Sequence, residues 1–354
     1  MQNFKIQPLP ISFDFETKEI LKALNKASRA LGELKGDIKK IPNSQILLDT
    51  LALQEAKDSS EIENIVTTDD EMYQAMVDDE VLNLNAKEVK NYAFALKKGY
   101  NSIQEKGIIT INDITKIQEV VSPNHPIRKL PGTNLKNAKT NEIIYTPPQN
   151  YDEIVLLLSN LEKYINEESL QDIDGLIKMA IIHYQFETIH PFYDGNGRTG
   201  RILNILYLVQ QKLLDIPVLY LSHYITKNKI QYYKLLQNIR TDEKWEDWII
   251  WMLIGVEETA KETLIVVNNI KDLMDFYKKE IRENFTFYSH DLINLLFKHP
   301  YTKIDFLERE LKIHRNTSRA YLNQLVEANL LRKIKIGKTN YYVNEPLMQI
   351  LKSR

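Results

Sequence analysis

The sequence predicts a mainly α-helical protein with a small β-hairpin near its middle and, at its C-terminal end, a helix-turn-helix followed by a two-strand wing. Three observations carry that prediction. Glycine is scarce, with 11 in 354 residues, so few positions demand unusual backbone. Apolar residues recur at three- and four-residue intervals through most of the chain, the spacing of one buried helical face. Strand-type patterning is confined to two short stretches, residues 132–145 and 330–343.

Ile20, Leu21, Leu24, Ala27 and Leu31 fit the inward face of a first helix, and Ile46, Leu47, Ala52, Leu53 and Ala56 that of a second. Residues 69–105 read as continued helix with Val81, Val89, Ala93 and Leu96 inward. After a break at Gly107, the Thr110 hydroxyl suits an N-cap for a helix through Val121. Over 122–150 the periodicity is lost, and Pro123, Pro126, Pro131, Gly132, Pro147 and Pro148 punctuate the chain. Within it, residues 132–135 and 142–145 flank the polar stretch 136–141 as a hairpin over a turn. Helical spacing resumes over 151–165, 174–188, 198–213, 229–239, 245–265 and 266–283. Beyond a boundary near 284–290, residues 291–298, 303–311 and 317–329 read as three short helices. Residues 330–336 and 339–343 then form a wing turning at Gly337 and Lys338.

A chain of 354 residues suggests two or three compact units. With 43% hydrophobic and 27% charged residues it can bury a large core. A net charge of −2 excludes a global attraction to nucleic acid or anionic membrane, so any such attraction is local. Absence of cysteine excludes disulfides, thiolate metal sites and a cysteine nucleophile, and fits a reducing compartment. The first residues show no signal-peptide pattern. The longest apolar run, 248–254, is far short of the roughly 20 residues a bilayer span needs. A cytoplasmic protein without membrane contact is expected.

The chemistry concentrates in His190-Pro-Phe-Tyr-Asp-Gly-Asn-Gly-Arg-Thr-Gly-Arg201. Three glycines in six residues, Gly195, Gly197 and Gly200, mark a place where backbone approaches something closely. They lead from one amphipathic helix into the N-terminus of another, whose unpaired N–H groups and positive dipole end suit phosphate. Arg198 and Arg201, three apart, each bring a guanidinium fork to the same side of the first turn. Asp194 offers a hard oxygen to Mg²⁺, which travels with nucleotide polyphosphates. His190 can take a proton from an attacking hydroxyl near neutral pH. Each fragment alone reads as a turn; together they are the parts of phosphate-ester transfer.

Residues 190–201 resemble the signature HPFxDGNGRxxR of the Fic family, with every specified position present. The resemblance implies a Fic-fold helical bundle and a protein adenylyltransferase that moves AMP from ATP, with Mg²⁺, to a Ser, Thr or Tyr hydroxyl of a target protein or of itself. It implies His190 as the base, Asp194 as the Mg²⁺ ligand, and Gly195, Asn196, Gly197, Arg198, Thr199 and Gly200 around the phosphates. Arg201 would hold the γ-phosphate, and Phe192 would anchor the loop in the core. The related Doc branch carries Lys at the second glycine, so Gly197 argues against Doc-type phosphotransfer. Residues 219–224 with Asn228, Tyr232 and Leu236 resemble the segment closing the adenine pocket, which would set Tyr232 and Leu236 against the base; ordinary helix core is the competing reading. The hairpin at 128–148 matches in position the family's flap, which docks the target by strand addition.

In isolation, Ser59-Ser-Glu-Ile-Glu-Asn64 is a polar helix end. Beside the signature, Ser59, Glu63 and Asn64 resemble the family's inhibitory pattern [S/T]xxxE[G/N], here N-terminal to the core, as in class II members. The resemblance implies that Glu63 pairs with Arg201 and that ATP then binds unproductively or weakly. It leaves open a second role for Glu63, orienting water to remove AMP. The expected organisation is an N-terminal region carrying the inhibitory motif (1–105), a Fic core with the flap (106–284) and the winged unit (285–354).

Residues 301–354 hold eleven Lys and Arg against five Asp and Glu. Arg315, Asn316, Thr317, Ser318 and Arg319 would open the helix that normally faces a DNA major groove, with Lys333, Lys335 and Lys338 on the wing. Contact with protein through residues 301–343, or formation of a homodimer, stands beside contact with DNA. A nucleotide-sensing transcriptional regulator is the alternative function, and UTP or GTP the alternative donors.

Overall fold

A computed structural model describes residues 4–41, 43–77, 83–136, 140–336 and 339–352. The chain opens with an extended segment whose Ile6, Leu9, Ile11 and Phe15 are buried. Asn160 grips its backbone at both Leu9 N–H (2.7 Å) and Leu9 C=O (2.8 Å). Helix α1 (Lys18–Ile38) is capped by Thr17 and lies along the forty-residue α11 (Trp245–Asn284). Its seam is Ile20, Ala27, Leu31, Leu34 and Ile38; Leu21, expected inward, is 46% exposed.

Helices α2 (Gln45–Ile62) and α7 (Gly175–Ile189) are buried on nearly every side, which explains why neither shows a clean amphipathic stripe. Helix α2 is enclosed by α4 (Leu84–Lys106), α8 (Asn196–Gln210), α9 (Ser222–Lys227) and α12 (His290–Lys298). Residues 69–105 are not one helix: α3 (Asp69–Val77) ends before Asn83, whose side chain accepts from the Ala86 N–H and starts α4 afresh. Val81 lies outside the described residues. Thr110 caps α5 (Ile111–Val121) as expected, and Asp113 completes a reciprocal capping box.

The hairpin is shorter than its sequence pattern: β1 (Leu135–Lys136) pairs antiparallel with β2 (Ile143–Tyr145), with Leu135 opposite Tyr145. Residues 137–139 of its turn lie outside the described residues. Helix α6 (Tyr151–Asn166), α7 and α8 follow, then α9, which the sequence reading left out, and α10 (Lys229–Asp242). The stretches read as two helices at 245–265 and 266–283 form the single α11, because no residue between 256 and 284 breaks an α-helix.

The C-terminal unit runs α12, β3 (Tyr301–Thr302), α13 (Ile304–Leu311), α14 (Arg315–Glu327), β4 (Arg332–Ile336), β5 (Thr339–Val343) and α15 (Glu345–Lys352). Its sheet has the order β3–β5–β4, all antiparallel. Strand β3 and helix α15 were not foreseen; Gly337, Lys338 and Arg354 lie outside the described residues. This unit does not hang free. Tyr277 of α11 donates to Leu330 O (2.5 Å) and Asn344 Oδ1 (3.2 Å), and Tyr301 stacks on Tyr73 of α3 while donating to Asp70 (3.1 Å). Arg315, on the helix that would face DNA if the unit binds it, is engaged by Asp305 and by Glu308 at 3.1 Å. Among the described residues, no helix is long and apolar enough to cross a membrane.

Candidate active site

The site lies where α7 stops and α8 begins. His190 caps α7 in the left-handed region (φ 47°), with its N–H on Phe186 O at 3.0 Å, so the chain turns sharply away. Phe192 is 1% exposed and anchors the loop in the core. Asn196 staples that loop, accepting from Phe192 N–H (2.8 Å) and donating to Phe192 O (2.9 Å). Its side chain is therefore spent on the fold, and only its backbone N–H is left for a ligand. Gly195 is the N-cap of α8 at φ +76°, a conformation that strains any residue with a Cβ.

Two helix ends of opposite polarity meet over this loop. Glu63 is the C-cap of α2, a position where a carboxylate is disfavoured by the helix dipole, and Arg198 and Arg201 sit in the first turns of α8, where cations are disfavoured. Each mismatch is relieved by the other. Glu63 Oε1 accepts from Arg201 Nη2 at 2.8 Å, and its Oε2 accepts from Arg198 Nε at 3.1 Å. Gly197 makes room: a Cβ there would lie 2.5 Å from Glu63 Oε1 and 2.8 Å from Arg201 Nη1. Ser59, one turn earlier on α2, accepts from Arg201 twice, at Oγ (2.7 Å) and at its carbonyl (2.9 Å). Asn64 adopts φ +65°, which accounts physically for Gly or Asn after the glutamate, and accepts from Lys229 of α10 at 3.2 Å. Ser59, Glu63 and Arg201 are thus together.

Arg198 is 2% exposed at its side chain and meets three carboxylates. Besides Glu63, it donates from Nη1 to Glu88 Oε2 of α4 (2.5 Å) and from Nη2 to Asp194 Oδ2 (3.0 Å). Glu88 escaped the sequence reading because nothing local marks it; only the packing of α4 on α8 brings it here. Behind Arg201 lies buried Glu187, whose carboxyl is pushed up to about 7 by burial. Burial alone would weaken the charge of Arg201, but Glu63 together with Tyr232, Glu187 and Tyr92 outweighs it and holds the guanidinium firmly protonated.

Burial, with Arg128 and Arg240 nearby, pushes His190 down to about 4, so its imidazole is neutral and able to accept a proton at neutral pH. At Asp194 burial works against ionisation, yet the Ser122 hydroxyl (2.5 Å) and Arg198 hold the carboxyl below its usual range. Being ionised and half-exposed at its side chain (48%), Asp194 presents the hard oxygen that Mg²⁺ requires, so the donor fits that ion.

Other expectations need correction or placement. Tyr232 is 1% exposed, its hydroxyl 2.8 Å from His183 Nε2 and its ring among Trp248 and Trp251, so it is core and has no face left for a nucleobase. Leu236, 3% exposed, is core too, whereas Tyr233 next door is 48% exposed. Thr199 and Gly200 face inward on α8. A second residue missed in the sequence is Arg128. It is 1% exposed, and nothing local in the sequence sets it apart from its neighbour Lys129 between Pro126 and Pro131.

The buried titratable groups set an acid response. His183, His190 and His299 are pushed down to about 3, 4 and 4 by burial, while buried Glu55 and Glu187 are pushed up to about 7. Around pH 5.5 the unfolded chain carries protons on the three histidines, and the folded chain on the two carboxyls. Unfolding therefore takes up a net of about one proton, and stability falls on acidification by about 1.4 kcal/mol per pH unit. Denaturant melts at pH 5.5 and 4.5 check this; higher stability at the lower pH contradicts it.

Comparison with known proteins places the sequence among relatives. Residues 21–101 match the model of the Fic/DOC family N-terminal region, residues 103–208 that of the Fic/DOC family, and residues 273–347 that of the protein adenylyltransferase SoFic-like C-terminal domain. The protein adenylyltransferase Fic of Drosophila erecta is 30% identical over 116 residues, 33% of this chain and 23% of the relative. That of Drosophila melanogaster is 32% identical over 117 residues, again 33% and 23%. The chain thus spans about a quarter of the length of the curated relatives it matches. A Fic family protein from Desulfovibrio desulfuricans G20 shares the fold with TM-score 0.59 at 20% identity, covering 96% of this chain and 98% of that one. Fic-1 of C. elegans does so with TM-score 0.54 at 19% identity, covering 69% and 73%. The two Fic/DOC models run in tandem over more than half of the sequence and meet across the Glu63–Arg201 contact, and the chain belongs to the Fic/DOC family.

Proposed function

We propose that the chain transfers AMP from ATP to a Ser, Thr or Tyr hydroxyl of a protein, itself or another, and that Glu63 holds this activity down. The observation that carries the reading is the Glu63 carboxylate seated on Arg201 and Arg198 at the N-terminus of α8, where an anion is wanted and a phosphate would otherwise sit. The relatives named protein adenylyltransferase support the same reading.

In the proposed reaction neutral His190 takes the proton of the target hydroxyl as its oxygen attacks the α-phosphorus. The bond from that phosphorus to the oxygen bridging the β-phosphate breaks, and pyrophosphate leaves with the electron pair. Arg198 and Arg201 hold the polyphosphate through bidentate contacts, and the first-turn amides of α8 add fixed donors. Asp194 would hold Mg²⁺, which supplies charge neutralisation on the phosphates when bound. The flap at 128–148 would present the target segment, and Tyr233 replaces Tyr232 as the aromatic proposed to flank the base. With Arg315 engaged by its own acidic neighbours and the C-terminal unit packed on α2 and α3, we assign that unit to protein contact rather than to DNA.

Intact-mass measurement and peptide mapping of the full-length Glu63→Gly chain, incubated with ATP, UTP or GTP and Mg²⁺, test the reading. One added AMP on the chain or on an added lysate protein is expected. A UMP or GMP adduct would replace the donor, and no adduct on any protein would overturn the reading. Glu88 should act as a smaller brake. Its carboxylate is 37% exposed, so its pair with Arg198 is worth up to about 1 kcal/mol and Glu88→Gln should raise transfer about 2- to 5-fold. Initial rates in the wild-type and Glu63→Gly backgrounds measure this; a fall in rate contradicts it.

A further inference from the structure

The root of the flap is stitched to the catalytic loop residue by residue. Ile127 bridges to Phe192, Arg128 N–H donates to Pro191 O (2.9 Å), and the Lys129 and Leu130 amides donate to the Tyr193 hydroxyl (3.1 and 3.2 Å). The Arg128 guanidinium goes further. Its Nε donates to His190 O at 2.8 Å, and its Nη2 reaches both Ile189 O (3.3 Å) and Pro148 O (2.9 Å). One buried side chain thus binds the last carbonyls of α7, including that of His190, and the far end of the flap. Carbonyls at a helix C-terminus seek a cation, and Arg128 supplies it with a rigid fork that Lys cannot copy. His190 needs the help: its left-handed backbone costs about 1–2 kcal/mol for a residue with a Cβ.

We propose that Arg128 is a positioning residue that joins the flap and His190 into one rigid body, so that docking a target on the flap and aiming the imidazole at its hydroxyl are a single event. This rests on the reading of His190 as the base for AMP transfer. Arg128 bonds to Pro148, Ile189, His190 and Pro191 and not to the phosphate-binding arginines, so its loss should leave nucleotide binding alone and act on turnover. The charges facing the imidazole are Arg128 from the flap root, Arg240 from α10 and Asp194 from the loop, with the Glu187 backbone beside it on its own helix. Burial does most to keep His190 neutral, and Arg128 is one of two cations that add to it, a duty that a lysine can share and a methionine cannot.

The test uses the full chain in the Glu63→Gly background, with Arg128→Lys and Arg128→Met. ATP–Mg²⁺ affinity is followed by calorimetry, turnover by kcat and KM, and His190 by NMR titration of its imidazole. A 1 Å misplacement of a reacting group lowers turnover on the order of 100-fold, so kcat should fall by that order in both variants while ATP affinity holds. The imidazole should titrate as in the parent with Lys and at higher pH with Met. An unchanged kcat in Arg128→Lys, or an ATP affinity that falls in step with kcat, overturns the inference. If the parent itself transfers no AMP, the proposed function fails and amide hydrogen exchange decides instead: flap-root and His190 amides as protected in Arg128→Met as in the parent, in a chain of unchanged circular dichroism, overturn the role of Arg128.

Discussion

The Glu63→Gly chain is expected to transfer AMP at about 10- to 100-fold the wild-type rate, because a hydrogen bond between charged groups is worth about 1.5–3 kcal/mol and each 1.4 kcal/mol is tenfold. In the wild type the γ-phosphate must displace a carboxylate from Arg201 (2.8 Å) and from Arg198 (3.1 Å) before it can bind productively. The substitution removes that competitor without removing the site. Arg201 keeps both bonds to Ser59, and Arg198 keeps Glu88 and Asp194, so the guanidinium groups stay placed. Nor should α2 unravel, since a carboxylate at its C-cap was at odds with the helix dipole. Initial rates at saturating ATP measure the effect. A folded Glu63→Gly chain no faster than wild type would show that the contact is structural only.

The second large effect is at His190. General-base catalysis contributes about 10²- to 10⁴-fold, so His190→Ala should lose at least that factor in the wild-type and Glu63→Gly backgrounds alike. ATP affinity should be untouched, because the phosphate-facing cations are Arg198 and Arg201. The left-handed backbone at this position disfavours alanine, whereas asparagine tolerates it. His190→Asn is therefore the companion variant that separates chemistry from strain: equal loss in both points to the missing base. Retained transfer in His190→Asn would mean that something other than this imidazole takes the proton.

The sequence made the local features legible. Thr110 as a cap and the glycines leading into α8 are readable because their physical causes lie within a few residues: an unpaired N–H, a positive φ, a first turn; positions 59, 63 and 64 read locally as a polar helix end and stand out only through the family resemblance. What escaped depends on packing between distant segments. Glu88 and Arg128 reach the site from α4 and from the flap root, and neither carries a pattern of its own. Tyr232 was misplaced for the opposite reason. An aromatic residue at helical spacing serves core and pocket equally well, and only the partner on its hydroxyl, His183, decides for core. The run 245–283 reads as two helices because amphipathic phase drifts over eleven turns, although no proline interrupts it.

Label transfer from ATP carrying the isotope on either the α- or the γ-phosphate tests the central claim most directly, with wild-type, Glu63→Gly and Glu63→Gly/His190→Ala chains side by side. Protein-bound label is expected from α-labelled ATP only, strong with Glu63→Gly, weak with wild type and lost in the double variant. Label arriving from the γ-position, or equal α-label in the wild-type and Glu63→Gly chains, would contradict a Glu63-restrained AMP transferase.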